Sequence, residues 1–205
     1  MGKFHGILCT DRWVGYSFWP LGMRQFCWAH LKRAFTAMAE TRGKARQIGQ
    51  ALLAEQERLF VWWHKLREGE ITRLMFQGYV APLRERVRDL LAQGAATRHK
   101  KSAGLCAELL KGFDALWTFV DVENVEPTNN AAERALRYAV IWRKVSFGTN
   151  SERGSRFVER IFTVVATLRL QERNVLEYLT EACARAQAGK QPPSLLPGRR
   201  YVAAA

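Results

Sequence analysis

The chain has 205 residues, 48% of them apolar, including 7 Trp and 11 Phe. That is enough to bury a substantial core in one domain, and it excludes a chain disordered by composition. Its 32 Lys and Arg outweigh 19 Asp and Glu, a net charge of +13, which points to a polyanion, nucleic acid first, because each neutralised phosphate releases counterions.

Residues 4–11 form a short apolar run ending in an acid, the pattern of a buried strand that delivers Asp11 at its carboxyl end. Open α/β sheets carry their chemistry at that end; the alternative is that Asp11 only begins a turn. An aromatic loop follows, with Tyr16, Trp19, Pro20 and Gly22. Tyr16 and Trp19 read as packing, with base stacking as their other use.

A helix is predicted over about residues 24–40, with Cys27, Leu31, Ala34, Phe35 and Met38 at helical spacing. Cys27-x-x-His30 has half the spacing of a zinc site, but no second pair stands at a matching distance, so His30 reads as packing or as lining a cleft. From about residue 44 to 120 the pattern is helical. Ile48, Leu52, Leu59, Trp62, Trp63 and Leu66 make one stripe, and Ile71, Leu74, Met75, Val87, Leu90 and Leu91 a second, interrupted by Pro82. Leu105, Leu109, Leu110, Phe113, Leu116, Trp117 and Val120 make a third. The polar faces mix signs and read as solvated surface, and Arg98-His-Lys-Lys101 falls in an exposed connection.

Pro127 and Thr128 end this region, and Asn129 or Asn130 can cap a helix whose apolar stripe is Ala132, Ala135, Leu136, Ala139 and Val140. Glu133 lies in its first turn. It suits a capping box with Asn130 and an i,i+4 pair with Arg137; equally, it suits a metal-binding carboxylate among phosphate-binding arginines. Between residues 129 and 173 there are nine basic residues against four acids. A buried helix with Val158, Ile161, Phe162, Val165 and Leu168 is predicted next, then another begun by Asn174 and carrying Leu176, Leu179 and Cys183. Residues 187–205 read as a flexible tail. The scattered Cys9, Cys27, Cys106 and Cys183, without a signal peptide or long uncharged apolar run, suggest reduced thiols in a cytoplasmic protein with no membrane partner.

The segment Pro127-Thr-Asn-Asn-Ala-Ala-Glu-Arg-Ala-Leu-Arg137 resembles the C-terminal signature of the insertion-sequence 66 family of bacterial transposases, an Asn-Asn-x-Ala-Glu-Arg-Ala-Leu-Arg stretch. Thr10-Asp-Arg-Trp-Val-Gly-Tyr16 is similar to the family's Asp-Gly-Tyr-x-Gly-Tyr segment, with Arg12-Trp13 in place of Gly-Tyr. Cys27-Trp-Ala-His-Leu-Lys-Arg33 resembles its Cys-Trp-Ala-His-Leu-Arg-Arg helix. Arg143-Lys144 with Ser151-Glu-Arg-Gly-Ser155 matches the segment after the glutamate.

The resemblance implies an α/β, predominantly helical chain: a partial ribonuclease H-like fold with a helical insertion at about 44–120, inside a catalytic portion spanning 1–186. It implies DNA transposition, with Asp11 and Glu133 as the second and last acids of an Asp-Asp-Glu set that holds Mg²⁺, in a two-ion site when complete. Arg134, Arg137, Arg143, Lys144, Arg153 and Arg156 are the expected contacts to DNA phosphates. The family's first Asp stands on an opening strand upstream of the second. The expectation is therefore a C-terminal portion without that acid and without the strands that would pair with its own first strand, inactive alone. Its expected partners are insertion-element ends, target DNA and full-length transposase or self. A non-catalytic DNA-binding or regulatory remnant is the alternative.

Overall fold

The computed structural model describes residues 4–197 and is mostly helical. The chain divides into two compact units, Met1–Ala131 and Ala132–Ala205.

The first unit is built on two short strands, β1 (Leu8–Thr10) and β2 (Arg24–Phe26), paired in parallel with Leu8 opposite Arg24 and Thr10 opposite Phe26. The pairing continues one step further, where the Cys27 N–H donates to the Thr10 carbonyl at 2.8 Å. The connection between the strands is two single 3₁₀ turns, Val14–Tyr16 and Leu21–Met23. Its aromatic rings pack on one another: Phe4 stacks on Trp19 at 5.6 Å, and Trp13 meets Tyr16 edge-on at 5.6 Å.

Helices α1 (Trp28–Ala39), α2 (Gly43–Arg67), α3 (Arg73–Ala95) and α4 (Lys100–Lys111) follow, each packed against the next. Their apolar stripes meet in one core with Trp28, Leu31, Phe35, Leu52, Leu59, Phe76, Leu91 and Leu109 fully buried. A glycine permits one of the close approaches. A side chain at Gly49 would come within 2.5 Å of the Ala39 backbone nitrogen, so only glycine lets α2 lie against the end of α1. Between α2 and α3, the buried Glu55 carboxylate is paired with Arg58 at 2.8 Å and with Arg86 of α3 at 3.1 Å, which offsets the cost of burying its charge.

A 3₁₀ turn (Phe113–Leu116) and the short α5 (Thr118–Asp121) close the unit by returning to the strands. Trp117 packs edge-on against Trp28, centroids 5.2 Å apart. Arg73 donates to the carbonyls of Phe119 and Val120 at 2.9 and 3.1 Å, satisfying the end of α5 that has no helical partner.

The second unit holds α6 (Asn130–Ser146, which begins two residues before the unit boundary), α7 (Glu152–Leu170) and α8 (Val175–Gln187). Ser151 caps α7 by accepting from the Gly154 N–H, and Asn174 caps α8 by accepting from Leu176 and Glu177, the start read from the sequence. Trp142 of α6 meets Phe162 of α7, and Arg169 lies over the Tyr138 ring at 5.1 Å. Residues 193–195 accept hydrogen bonds from Tyr178, Arg173 and Gln171. The last part of the expected tail, 198–205, lies outside the described residues.

Several expectations change, among them the apolar stripes at Leu74 and Met75 of α3 and at Leu136 and Val140 of α6, all four of which are exposed. The helix predicted over 24–40 begins only at Trp28; Arg24-Gln25-Phe26 is strand, with all three residues buried. The first strand is not left without a partner, since β2 supplies one. Pro82 does not interrupt α3: both it and Gly78, whose carbonyl it cannot pair with, are exposed, so water can take that carbonyl. In α7 only Leu168 is buried; Val158, Ile161, Phe162 and Val165 are half-buried.

Candidate carboxylate site and nucleic-acid interface

Asp11 stands one residue beyond β1, at the carboxyl end of a parallel strand, as the sequence predicts. Its Oδ1 accepts from the Trp13 N–H at 3.0 Å, which folds the chain back over the strand end. Beneath it lies Arg24, 6% exposed. The Arg24 Nη2 donates to Thr10 Oγ1 at 3.2 Å and to the Asp11 carbonyl at 3.3 Å, while its guanidinium stacks on Phe26 at 4.9 Å. Burial lowers the Arg24 pKa, opposed by the nearby charge of Asp11. Next to Asp11, Arg12 pairs with Glu108 of α4 at 2.7 Å and anchors the loop to the helical layer.

Arg24 and Gln25 were not found by sequence reasoning. In a helical reading Arg24 falls on the same face as Cys27 and Leu31, three and seven residues on, and an arginine on that apolar stripe was the available signal. The same neighbourhood buries two thiols, Cys27 and, in part, Cys9. Burial, with Cys27 and Glu126 nearby, pushes the Cys9 thiol up to about 12, so it is a packing group rather than a nucleophile. Cys27 Sγ accepts from the Asn129 N–H at 3.4 Å, which fixes the chain entering α6.

In the second unit, Glu133 is half-buried in the first turn of α6. Arg134, Arg137, Arg143 and Lys144 are exposed along the same helix. Arg153 and Arg156 are exposed in the first turns of α7. Arg156 pairs with Glu152, whereas no ion pair neutralises Arg134, Arg137, Arg143, Lys144 or Arg153 among the described residues. An apolar cleft of about 640 Å³ separates α6 from α7, lined by Ala139, Trp142, Val158 and Phe162 among others. Sequence reasoning missed Phe157 and Arg160, which continue the basic face of α7 at i+4 and i+7 from Arg153.

The first unit thus presents an acid at a strand's carboxyl end, and the second, taken by itself, carries exposed cations along α6 and α7. The chain matches the family described as Transposase IS66 family over residues 1–157 and belongs to it. An uncharacterized protein of Sinorhizobium fredii, y4hP, is 26% identical over 208 residues, a match covering 90% of this chain and 37% of that relative. The chain thus spans little more than a third of that relative's length. No solved structure matches it. Among the described residues no helix is long and apolar enough to cross a membrane.

Proposed function

We propose that this chain is the C-terminal part of a metal-dependent transposase of the Asp-Asp-Glu type, which cleaves and joins insertion-element DNA ends in the cytoplasm. The observation that carries the reading is Asp11: an acid just past the carboxyl end of a parallel strand, with a buried arginine fixing the backbone that presents it. In this reading β1 and β2 belong to a ribonuclease H-like sheet, residues of about 44–120 are a helical insertion, 1–186 is the catalytic portion and 187–205 a tail.

Asp11 and Glu133 are the metal-holding residues. Their chemistry fits Mg²⁺, since both offer hard oxygen donors and Asp11 Oδ2 makes no hydrogen bond among the described residues. The number of donors is smaller than a two-ion site takes: no group of three His, Cys, Asp or Glu suited to a metal gathers among the described residues. Further ligands would come from elsewhere in the complete assembly. Held by Asp11 and Glu133 with those further ligands, such ions would supply Lewis-acid chemistry for attack at, and departure from, the phosphate.

The protein's own cations do the rest. Arg134, Arg137, Arg143, Lys144, Arg153 and Arg156 hold DNA phosphates, fix the strand in register and neutralise charge on the transferring phosphate. DNA ends and target are the partners, with full-length transposase or a second copy completing the site.

The test is substitution of Glu133 by Gln, and separately of Asp11 by Asn, in the full-length protein. Strand cleavage is expected to fall below detection while retention of end-sequence DNA changes less than about threefold. Normal cleavage by either variant refutes the metal role.

A further inference from the structure

One face of α7 departs from what a packed helix presents. Arg153, Arg156, Phe157 and Arg160 stand at i, i+3, i+4 and i+7, the spacing that usually forms the apolar stripe of a buried helix. Here three positions are cationic and all four are exposed, with the Phe157 ring 66% open to solvent. Like charges at these spacings repel and weaken a helix. Glu152 offsets only Arg156; Arg153 and Arg160 have no ion-pair partner among the described residues. The four residues, with Glu152, line a concave site of about 460 Å³.

Phosphate alone does not explain an exposed aromatic ring at the centre of three arginines. A duplex offers its backbone to such a face but keeps its bases stacked inside. An unpaired strand offers both, and single-strand binders combine a basic track with aromatic platforms. We propose that this face of α7 holds an unpaired DNA strand, with a base stacked on Phe157 and flanking phosphates on Arg153, Arg156 and Arg160. The inference rests on the DNA reading above and sharpens it: the strand engaged here is locally unpaired.

The test titrates the full 205-residue chain, by fluorescence anisotropy at low salt, with a labelled oligonucleotide as a single strand and as a duplex of the same sequence. Phe157→Ala is expected to weaken single-strand binding about tenfold, leaving duplex binding within about twofold. Phe157→Trp restores the single-strand affinity. Arg160→Gln weakens both forms and flattens the salt dependence. Equal loss on both forms, or no loss on the single strand, overturns the inference and leaves the DNA reading standing. Wild-type chain that binds neither form in a salt-sensitive manner overturns both. A wild-type dimer made monomeric by Phe157→Ala also overturns it, by giving the face to a second copy.

Discussion

The side-chain amide of Gln25 donates to the Leu116 carbonyl at 3.1 Å, joining strand β2 to a segment 91 residues further along the chain. The same amide donates to the Phe26 carbonyl at 2.8 Å, and its oxygen accepts from the Phe119 N–H at 2.9 Å. Gln25 is fully buried, so water cannot replace these partners. Gln25→Leu keeps most of the volume but strands the Phe119 N–H, at a cost of about 1–3 kcal/mol. Gln25→Ala adds a cavity and costs more. Urea unfolding followed by tryptophan fluorescence should show both midpoints lowered, Ala below Leu; an unchanged midpoint for Leu would show that the bridge contributes nothing net.

Gly94 of α3 faces Cys106 of α4 at a distance that leaves no room for a methyl group. A Cβ there would stand 2.4 Å from Cys106 Sγ and 3.2 Å from its Cβ, and both residues are buried. Gly94→Ala is expected to destabilise by about 1–3 kcal/mol, despite the better helix propensity of alanine. Adding Cys106→Ala removes the sulfur and should recover much of the loss. A double-mutant cycle with coupling below about 0.5 kcal/mol would show that α3 and α4 shift apart instead.

How much of this was legible in the sequence depended on how local the determinants are. The stripes Ile48, Leu52, Leu59, Trp63 and Phe113, Leu116, Trp117 announce themselves through spacing, and all are buried. Asn174 signals its helix start through a side chain that reaches only three residues ahead. Strand β2 gives no such signal: it is three residues long, two of them are polar, and their burial is satisfied by groups near residues 10, 116 and 119. Asp11 was readable as the end of an apolar run, whereas Arg24 beneath it was not, because only the parallel pairing brings it there. On α7 the pattern at 153, 156, 157 and 160 was readable in principle, but an Arg-rich stripe is not what a search for apolar periodicity finds.

Cysteine chemistry should separate the buried thiols from the exposed one. Burial raises the Cys9 thiol to about 12 and Cys106 to about 11, from an ordinary value of 9.0, whereas Cys183 is exposed. At pH 8 a thiol reagent should label Cys183 fast in the native chain, and Cys9 and Cys106 only after unfolding. The folded state holds these two protons more tightly than the unfolded state does. Their contribution to stability is therefore full below about pH 9 and lost as pH rises from there toward 11 and 12. Equilibrium unfolding at pH 8 and pH 10 should show lower stability at the higher pH, and mass spectrometry of labelled peptides gives the order of reaction.

Phe147, just past the end of α6, holds a left-handed backbone with φ of 57°, and its side chain is 93% exposed. A β-carbon in that conformation crowds the neighbouring carbonyl, and nothing the ring touches repays the strain. Helices commonly end on a glycine in this conformation for that reason. Phe147→Gly removes the crowding, while the extra freedom of the unfolded glycine takes back part of the gain. The net expectation is a stabilisation of about 0.5–1 kcal/mol, read as a rise of a few degrees in the melting of the helical signal. Phe147→Ala keeps the β-carbon and should change the melting point by less than Gly does. A melting point lowered by Phe147→Gly would mean that the ring supports the fold in spite of its exposure.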